Sequence, residues 1–207
     1  MTSRQDHRQE VSKICTKWWR DLNGLDIETG EESGTPNRAA IAKLRRIGTV
    51  TVDGREEMDT ATELGHYAAL YTRLKGPAST PFRPYREQNN FAQAVAVVAG
   101  TLARVRTAMD GKTAALLGAQ RDEQRLMQEE RFKRLVRTRN WAELHARGRR
   151  IVHLLDRTAP VGDLGASLFL WFAGPHVIRD WSLAYYGLDD TPDLSQAATP
   201  PASTVTP

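Results

Sequence analysis

Apolar residues recur every three or four positions along most of this chain, and this spacing limits the folds that it can adopt. Residues three and four apart share one face of a helix, whereas a half-buried strand would need strict alternation. The clearest apolar stripe comes first, and its members are Val11, Ile14, Cys15, Trp18, Trp19 and Leu22. This stripe predicts a helix over residues 6–23 that ends at Gly24.

Seven further helices are predicted from the same spacing and from residues suited to helix starts. They cover residues 37–47, 58–74, 90–106, 122–138, 140–157, 163–172 and 175–186. Five of these helices have a favourable first residue: Asn37, Asp122, Asn140 and Asp163 as N-caps, and Pro175 in a first turn. Residues 48–54 are interpreted as a turn, or at most a two-residue strand pairing, and residues 76–85 as a loop. The predicted fold class is all-α, with about eight helices.

Composition divides the chain into two predicted bundles and a tail. Residues 107–119 are small, contain glycine and carry little periodic pattern, so they are predicted to link an N-terminal bundle, residues 1–106, to a C-terminal bundle, residues 120–187. Residues 188–207 consist mainly of Asp, Pro, Thr, Ser and Ala. This tail lacks the apolar residues needed to offset the entropy of ordering, so it is predicted to be disordered.

Several kinds of chemical site are excluded by what the sequence lacks. Its one cysteine, Cys15, cannot make a disulfide framework or a multi-cysteine zinc site, and its histidines show no metal-ligand spacing. Gly111-Lys112-Thr113 is similar to the end of a phosphate-binding loop, but Arg106 stands where that motif needs glycine. No nucleophile motif or recognisable pair of catalytic carboxylates is found. We therefore predict no catalytic residue, no metal and no cofactor.

The expected location follows from the first residues and from the charge-free stretches. The chain begins with polar residues of mixed charge, unlike a signal peptide. Residues 164–178 form one of the longest stretches of the predicted folded part without Asp, Glu, Lys or Arg, and this stretch is too short for a membrane span and includes Gly174 and Pro175. We predict a cytoplasmic protein that makes no membrane contact.

The basic residues are clustered rather than spread along the chain. Arginine outnumbers lysine 23 to 6, which a GC-rich genome could explain. Residues 131–150 hold eight basic residues and one acid, which gives +7, and residues 38–46 hold four basic residues and no acid, which gives +4. Because the whole chain carries only +4, the remaining residues must sum to −7. Two basic segments in an acidic remainder indicate an anionic polymer as a partner.

The basic side chains fall opposite the apolar stripes when each residue is turned by 100° about its helix axis. The outward residues are Lys133, Arg134 and Arg137 on the fifth predicted helix, with Arg131 at its flank, Arg149 and Arg150 on the sixth, with Arg147 at its edge, and Arg38, Arg45 and Arg46 on the second. Like charges three or four positions apart repel each other, and a phosphate chain would relieve that repulsion. The alternatives are a solvated face balanced by acids such as Glu129 and Glu130, and an acidic protein surface facing residues 38–46.

Aromatic pairs offer a second means of contacting nucleic acid, but their positions favour another role. Trp18, Trp19, Trp171 and Phe172 could stack on bases. All four lie within predicted apolar stripes, so core packing or a subunit interface is the preferred interpretation. Cys15 lies in the same kind of stripe and is predicted to be a buried, unreactive thiol.

An ordered set of segments resembles one known family. Its members are Trp18-Trp19-x-x-Leu22, Arg38-Ala39-Ala40 with Leu44-Arg45-Arg46, the alanine- and valine-rich residues 91–100, Arg131-Phe132-x-x-Leu135, Arg149-Arg150-Ile151-Val152, Val161-Gly162-Asp163-Leu164 and Arg179-Asp180-Trp181-Ser182-Leu183-Ala184-Tyr185-Tyr186. In this order and spacing they resemble the small subunit (the CasB family) of the type I-E CRISPR effector complex, Cascade. The resemblance covers residues 11–187, and residues 49–62 have no counterpart in the family.

The resemblance implies a non-catalytic protein of antiviral defence, built as two stacked helical bundles. Two copies would lie head to tail against the backbone subunits that carry the CRISPR RNA, and the large subunit would be a further partner. The basic surface would hold the strands of the R-loop formed with target DNA. The arginines and the lysine on the three outward faces are the candidate contacts.

Two other functions are compatible with the residues themselves. A helical DNA-binding regulator would need a recognition helix that reads base edges at a palindromic site. A helical adaptor would use its basic faces to bind acidic protein surfaces.

Overall fold

The computed structural model describes residues 4–52, 55–58, 65–75, 91–121 and 124–188. This part of the chain contains nine helices and three short two-stranded pairings. The predicted all-α fold class is therefore confirmed. The predictions for the loop over residues 76–85, for the cap Asp122 and for the tail from residue 189 lie outside the described residues.

The helices and strands are numbered in chain order. The helices are α1 (Arg4–Leu22), α2 (Arg38–Arg45), α3 (Gly65–Lys75), α4 (Phe91–Leu102), α5 (Thr113–Gly118), α6 (Glu129–Val136), α7 (Trp141–Leu154), α8 (Val161–Leu170) and α9 (Pro175–Tyr186). The strands are β1 (Thr49–Val52), β2 (Arg55–Met58), β3 (Thr107–Ala108), β4 (Gln120–Arg121), β5 (Gln124–Arg125) and β6 (Thr158–Ala159).

Three predicted helix ends are confirmed in detail. The Asn37 side chain accepts a hydrogen bond from the backbone N–H of Ala40 at 3.0 Å, and Asn140 accepts one from Glu143 at 2.8 Å. Each bond satisfies a backbone N–H that the first turn of a helix leaves without a partner. At the C-terminal end, Gly187 ends α9 in the left-handed conformation, with φ of 70°, which glycine adopts without steric cost.

The segment after α2 forms more strand than predicted. β1 and β2 pair antiparallel over four residues each, from Thr49 opposite Met58 to Val52 opposite Arg55. The prediction of a turn or a two-residue pairing was wrong because the run Thr-Val-Thr-Val is wholly β-branched, and such side chains favour an extended backbone. Met58, which was assigned to the third helix, belongs to β2, and α3 begins at Gly65.

The fifth predicted helix is shorter than the apolar pattern suggested. Helix α6 starts at Glu129, and the preceding residues form the antiparallel pair β4–β5. The backbone N–H of Met127 donates to the carbonyl of Leu117 at 2.9 Å, so this segment is tied to α5 rather than to its own helix. Polar residues such as Gln120 and Gln124 leave no apolar face for another helical turn.

Helix α4 also ends earlier than predicted, at Leu102. The next bonds are tight i→i−3 turns, such as that from the Val105 N–H to the Leu102 carbonyl at 3.0 Å. The Arg106 N–H then donates to the Arg157 carbonyl at 2.8 Å and opens the parallel pairing of β3 with β6. The segment predicted as a linker, residues 107–119, carries α5, whose Leu117 side chain is buried.

The sequence suggested that Asp163 caps its own helix, and this prediction is wrong. Helix α8 begins two residues earlier, at Val161. The Asp163 carboxylate instead accepts the backbone N–H of Thr113 at 2.8 Å and the Arg8 guanidinium at 2.8 Å. A carboxylate in a first turn is favoured by the helix dipole, and this one also joins α8 to α1 and α5.

The core is organised around α4, which is buried on nearly every side and contacts α3, α7 and α8. Two close approaches depend on glycine. A Cβ on Gly165 would lie 2.8 Å from the Sγ of Cys15, and one on Gly148 would lie 2.8 Å from the Oγ1 of Thr101. The first contact lets α1 lie tightly on α8, and the second lets α7 lie tightly on α4. The division into two domains stays a prediction.

The expected roles of the aromatic residues and of the cysteine can be checked directly. Trp18, Trp19 and Trp171 are at most 3% exposed, and Phe172 is half-buried against the core. Cys15 is fully buried, and burial raises the pKa of its thiol to about 12. The interpretation of these residues as core packing is therefore confirmed.

Candidate nucleic-acid interface

The ten basic residues singled out from the sequence are all at least partly accessible. Seven of them are exposed: Arg38, Arg46, Arg131, Arg134, Arg137, Arg149 and Arg150. Three of them are half-buried: Arg45, Lys133 and Arg147. The apolar stripes on the opposite faces are buried, including Phe132 and Leu135 of α6 and Leu144 of α7. The helical geometry therefore places the basic faces where the sequence predicted.

Arginines from three parts of the chain converge on a single cleft, which we call the arginine cleft. It lies between α2, the residues that follow α4, and α7, and its volume is about 520 Å³. Its lining residues are Arg45, Arg104, Ala146, Arg149, Arg150, Val152, His153 and Arg157. Among the described residues, five guanidinium groups thus border one space and no carboxylate lines it.

Two of these arginines are fixed by backbone carbonyls. The Arg45 Nε donates to the carbonyl of Ala103 at 2.7 Å, and the Arg104 Nη1 donates to the carbonyl of Gly100 at 2.7 Å. The Arg104 Nη2 also donates to the carbonyl of Arg45. These carbonyls lie at the ends of α2 and α4, where the helix dipole favours a positive charge. The two side chains therefore brace one helix against the other and hold their charges at the cleft.

A third arginine reaches the cleft through an unusual turn. Helix α7 is followed by Asp156 and Arg157, which have positive φ values of 51° and 62°. These are left-handed conformations that non-glycine residues seldom adopt, and they cost free energy unless the surroundings hold them. Here the Arg157 N–H donates to the Val152 carbonyl at 2.8 Å, and the Arg157 carbonyl accepts from β3. The turn therefore fixes Arg157 at the edge of the cleft.

Burial and neighbouring positive charges lower the pKa values of two arginines of the cleft. Burial, and to a smaller extent repulsion from Arg149 and Arg45, lowers the pKa of Arg104 to about 10. Burial, followed by repulsion from Arg157 and Arg106, also lowers the pKa of Arg45. Because guanidinium groups stay protonated at neutral pH, the cleft concentrates positive charge that a bound anion would neutralise.

His145 lies beneath this cleft on the buried side of α7. Burial, followed by repulsion from Arg104 and Arg149, lowers its pKa to about 4. Its imidazole is therefore neutral at pH 7. Within the described residues its Nε2 has no hydrogen-bond partner, and it lies close to Gly100 on α4.

Ion pairing distinguishes the predicted residues from one another. Lys133 lies 2.9 Å from Glu129 and 3.1 Å from Glu130, so its charge is balanced on its own helix. Arg147 is 4.0 Å from Glu143. By contrast, among the residues that the structure describes, no carboxylate lies within 4.0 Å of the nitrogens of Arg149 or of the other arginines of the cleft.

A second depression adjoins the first and has a different character. This mixed cleft, of about 420 Å³, lies between α6 and α7. Its lining residues are Met127, Arg131, Arg134, Leu135, Arg147, Arg150, Ile151, His153 and Leu154. Four apolar side chains therefore form a surface that four arginines border. Arg150 and His153 line both clefts and separate one from the other.

The structure brings most, but not all, of the predicted residues together. Arg45, Arg149 and Arg150 line the arginine cleft, and Arg131, Arg134, Arg147 and Arg150 line the mixed cleft. Lys133 forms ion pairs with Glu129 and Glu130. Neither cleft is lined by Lys133, Arg38, Arg46 or Arg137.

Two contributors to the arginine cleft, Arg104 and Arg157, were missed by sequence reasoning. Neither belongs to a run of basic residues. The position of Arg104 nevertheless carries a usable signal, because it is the first charged residue after a helix that has no charged residue and is buried on nearly every side. A positively charged side chain at the C-terminal end of a helix can donate hydrogen bonds to the last carbonyls and is favoured by the helix dipole. No comparable signal marks Arg157, which depends on the turn after α7.

Among the described residues, no group of three or more His, Cys, Asp or Glu side chains could hold a metal ion. In the same residues, no helix is both long enough and apolar enough to span a membrane.

A protein-family model matches the greater part of the chain. The model of the family described as CRISPR-associated protein Cse2 matches residues 40–186, which include α3 to α9 and all of both clefts. No curated protein and no solved structure matches the chain.

Proposed function

The chain belongs to the CRISPR-associated Cse2 family, the small subunit of type I-E Cascade, and from this premise we propose that it stabilises the R-loop through contacts with nucleic acid backbone. The contacts involve the CRISPR RNA and the target DNA. The chain lies against the backbone and large subunits, next to a second copy arranged head to tail. It supplies positive charge and catalyses no reaction.

The observation that supports this proposal is the arginine cleft. Five guanidinium groups face one space, and two of them are held by backbone carbonyls rather than by acids. Guanidinium groups bind phosphate through paired, charge-assisted hydrogen bonds. A phosphodiester would therefore find donors already in place and would relieve the repulsion between them.

Contacts of this kind are insensitive to base sequence, which suits the role. Bonds to phosphate oxygens position a strand without reading it. In RNA-guided complexes the sequence is read by pairing with the guide, and the exchange of one duplex for another is nearly balanced in free energy. A few backbone contacts on the small subunit can therefore shift that balance toward the open R-loop.

The test compares two charge-matched triple variants in the assembled complex. R134A/R149A/R150A removes three arginines from the clefts, and K13A/K75A/R179A removes three exposed charges elsewhere. We expect the first variant to shorten the lifetime of the R-loop and to reduce the salt dependence of target binding by about two in the slope of log K, since each contact with a single strand contributes about 0.7. The second variant should leave both unchanged.

Three outcomes would count against the proposal. Equal behaviour of the two variants would mean that total charge, rather than the clefts, governs R-loop stability. Failure of the first variant to enter the complex would favour the adaptor function, in which the arginines bind a protein. Sequence-specific binding by the isolated chain, without CRISPR RNA, would favour a DNA-binding regulator.

A further inference from the structure

The two clefts differ in chemistry but share a wall. The arginine cleft is bordered by five guanidinium groups, whereas the mixed cleft has Met127, Leu135, Ile151 and Leu154 among its lining residues. Arg150 and His153 belong to both. Phosphate and base are likewise different in chemistry and joined through a sugar, so the paired clefts match the parts of a nucleotide.

We infer that the two clefts together hold one nucleotide of a single strand, with its phosphate in the arginine cleft and its base in the mixed cleft. This inference rests on the proposed function, because it specifies which form of nucleic acid the basic surface takes. It adds that the strand must be unpaired at the bound position.

The phosphate belongs in the arginine cleft for electrostatic reasons. The side chains that border it carry like charges, and Arg45 and Arg104 are already fixed by carbonyls. A phosphodiester, which carries one negative charge, gains several guanidinium donors there without first having to displace a carboxylate. Preorganised donors of this kind lose little entropy when they bind.

The base belongs in the mixed cleft because that cleft combines apolar contact with planar cations. Leu154 is half-buried and supplies most of the accessible apolar surface, Met127 adds the 7% that it exposes, and the nearly fully buried Ile151 and Leu135 pack behind them as an apolar floor. The guanidinium planes of arginines stack on unpaired bases, which tolerate such stacking whatever their identity. The volume of about 420 Å³ lies within the range of pockets that enclose small ligands.

The charge of the rim argues against an apolar protein segment as the occupant. Arg131, Arg134 and Arg150 surround the floor, and a hydrophobic helix laid across them would bury their charges without compensation. A nucleotide brings its own negative charge into the adjoining cleft. A base within a duplex is stacked and paired and cannot enter, so the site discriminates between single strands and duplexes.

The first test uses the unaltered full chain and three labelled probes in fluorescence anisotropy at low salt. The probes are a thymidine decamer, a decamer of abasic sugar-phosphates with the same number of phosphates, and a ten-base-pair duplex. We expect the thymidine decamer to bind at least about fivefold more tightly than the abasic one, the affinity ratio that corresponds to the lower end of the stacking energy of one base on a side chain. The duplex should also bind more weakly than the thymidine strand.

The outcomes separate this inference from the proposed function. If thymidine and abasic strands bind equally, the base site is overturned, but backbone contacts are retained. If the duplex binds as tightly as the thymidine strand, the single-strand preference is overturned as well. If none of the three probes binds, both the inference and the backbone contacts proposed for this surface are overturned.

The second test fills the mixed cleft while leaving every arginine in place. In Leu154→Trp, the larger side chain occupies the space meant for the base. We expect thymidine binding to fall to the abasic level, while abasic binding stays unchanged. Leu188→Trp is the matched control, because Leu188 is 67% exposed and lies outside both clefts. Thermal unfolding of both variants shows whether the fold is intact.

Two results with the filled variant would contradict the inference. An undiminished preference for thymidine over abasic strand would place the base elsewhere. Loss of incorporation into the complex, with strand binding unchanged, would mean that the mixed cleft receives a protein neighbour.

Discussion

Arginines serve two different purposes in this molecule, and their partners distinguish them. At the junction of α1 and α8, the Arg8 guanidinium donates to Asp163 at 2.8 Å and to the Ser167 hydroxyl at 2.8 Å. In the arginine cleft, Arg45 and Arg104 are held by neutral carbonyls, and Arg149 has no carboxylate within 4.0 Å among the described residues.

The difference concerns where neutralising charge comes from. The charge of Arg8 is balanced within the fold, so the pair stabilises the native state and is unavailable to a ligand. The charges of the cleft are left unbalanced, so their neutralisation depends on something outside the described chain. Counting basic residues cannot separate the two cases, but the positions of the acids can.

The largest expected effect is at the balanced arginine. Asp163→Ala removes the partner of Arg8 and also leaves the Thr113 N–H without its acceptor. Because breaking a largely buried ion pair leaves a desolvated charge, we expect a loss of about 3 kcal/mol in the free energy of unfolding. Urea unfolding measures this loss.

Asp180→Ala is the matched control for Asp163→Ala. Asp180 lies 3.8 Å from the same guanidinium, but 42% of its side chain is exposed. Its removal should cost less than about 1 kcal/mol. Equal losses in the two variants would contradict the assignment of Asp163 as the main partner of Arg8.

The next effect concerns His145, which lies beneath the unbalanced charges. Its pKa falls from about 6.5 in the unfolded chain to about 4 in the native state, so the unfolded state binds the additional proton between these values. Stability is therefore fully present above about pH 6.5 and is lost as the pH falls toward 4. We expect a loss of the order of 3 kcal/mol over this window.

His145→Gln should flatten this acid dependence, because an amide does not titrate. His153→Gln is the control, since His153 is exposed on the same helix. The midpoints of urea unfolding of both variants and of the unaltered chain, measured between pH 4 and pH 7, show this dependence. If His145→Gln keeps the acid dependence of the unaltered chain, another group is responsible for it.

Substitution of Arg104 shows whether an arginine of the cleft also stabilises the fold. Its bonds to the carbonyls of Gly100 and Arg45 brace α4 against α2, while repulsion from its neighbours opposes them. We expect Arg104→Ala to lower the free energy of unfolding by about 1 to 2 kcal/mol. Arg149→Ala should change it by less than about 0.5 kcal/mol, because Arg149 is exposed. Urea unfolding that ranks the two variants in the opposite order would contradict the bracing role.

Sequence periodicity was sufficient to predict most of the helices, because the apolar stripe that defines each helix also determines its buried face. The caps at Asn37 and Asn140 are local interactions, so they too could be predicted. The starts of α6 and α8 could not, since Met127 and Asp163 bind partners that are distant in sequence.

The residues of the candidate site could be predicted where basic residues are adjacent in sequence. They could not be predicted where residues distant in sequence come together only in the folded chain. Arg149 and Arg150 stand side by side on one helix face, and their exposure follows from helical geometry alone. Arg104 and Arg157 join them only because α4, α7 and a left-handed turn meet in space. Lys133 shows the opposite error, because the acids that neutralise it, Glu129 and Glu130, lie on the same helix immediately before the basic segment.

The smallest expected effect compares Lys133 with Arg149, two basic residues that the sequence could not separate. Lys133 is paired with Glu129 and Glu130, so Lys133→Ala should leave the salt dependence of single-strand binding unchanged. Arg149→Ala should reduce the slope of log K against log salt by about 0.7, the value for one lost contact with a single strand. Titrations of the full chain with a labelled decamer between low and moderate salt measure both slopes. Equal slopes for the two variants would mean that ion pairing within the fold does not determine which charges reach the phosphates, and the distinction between balanced and unbalanced basic residues would fail.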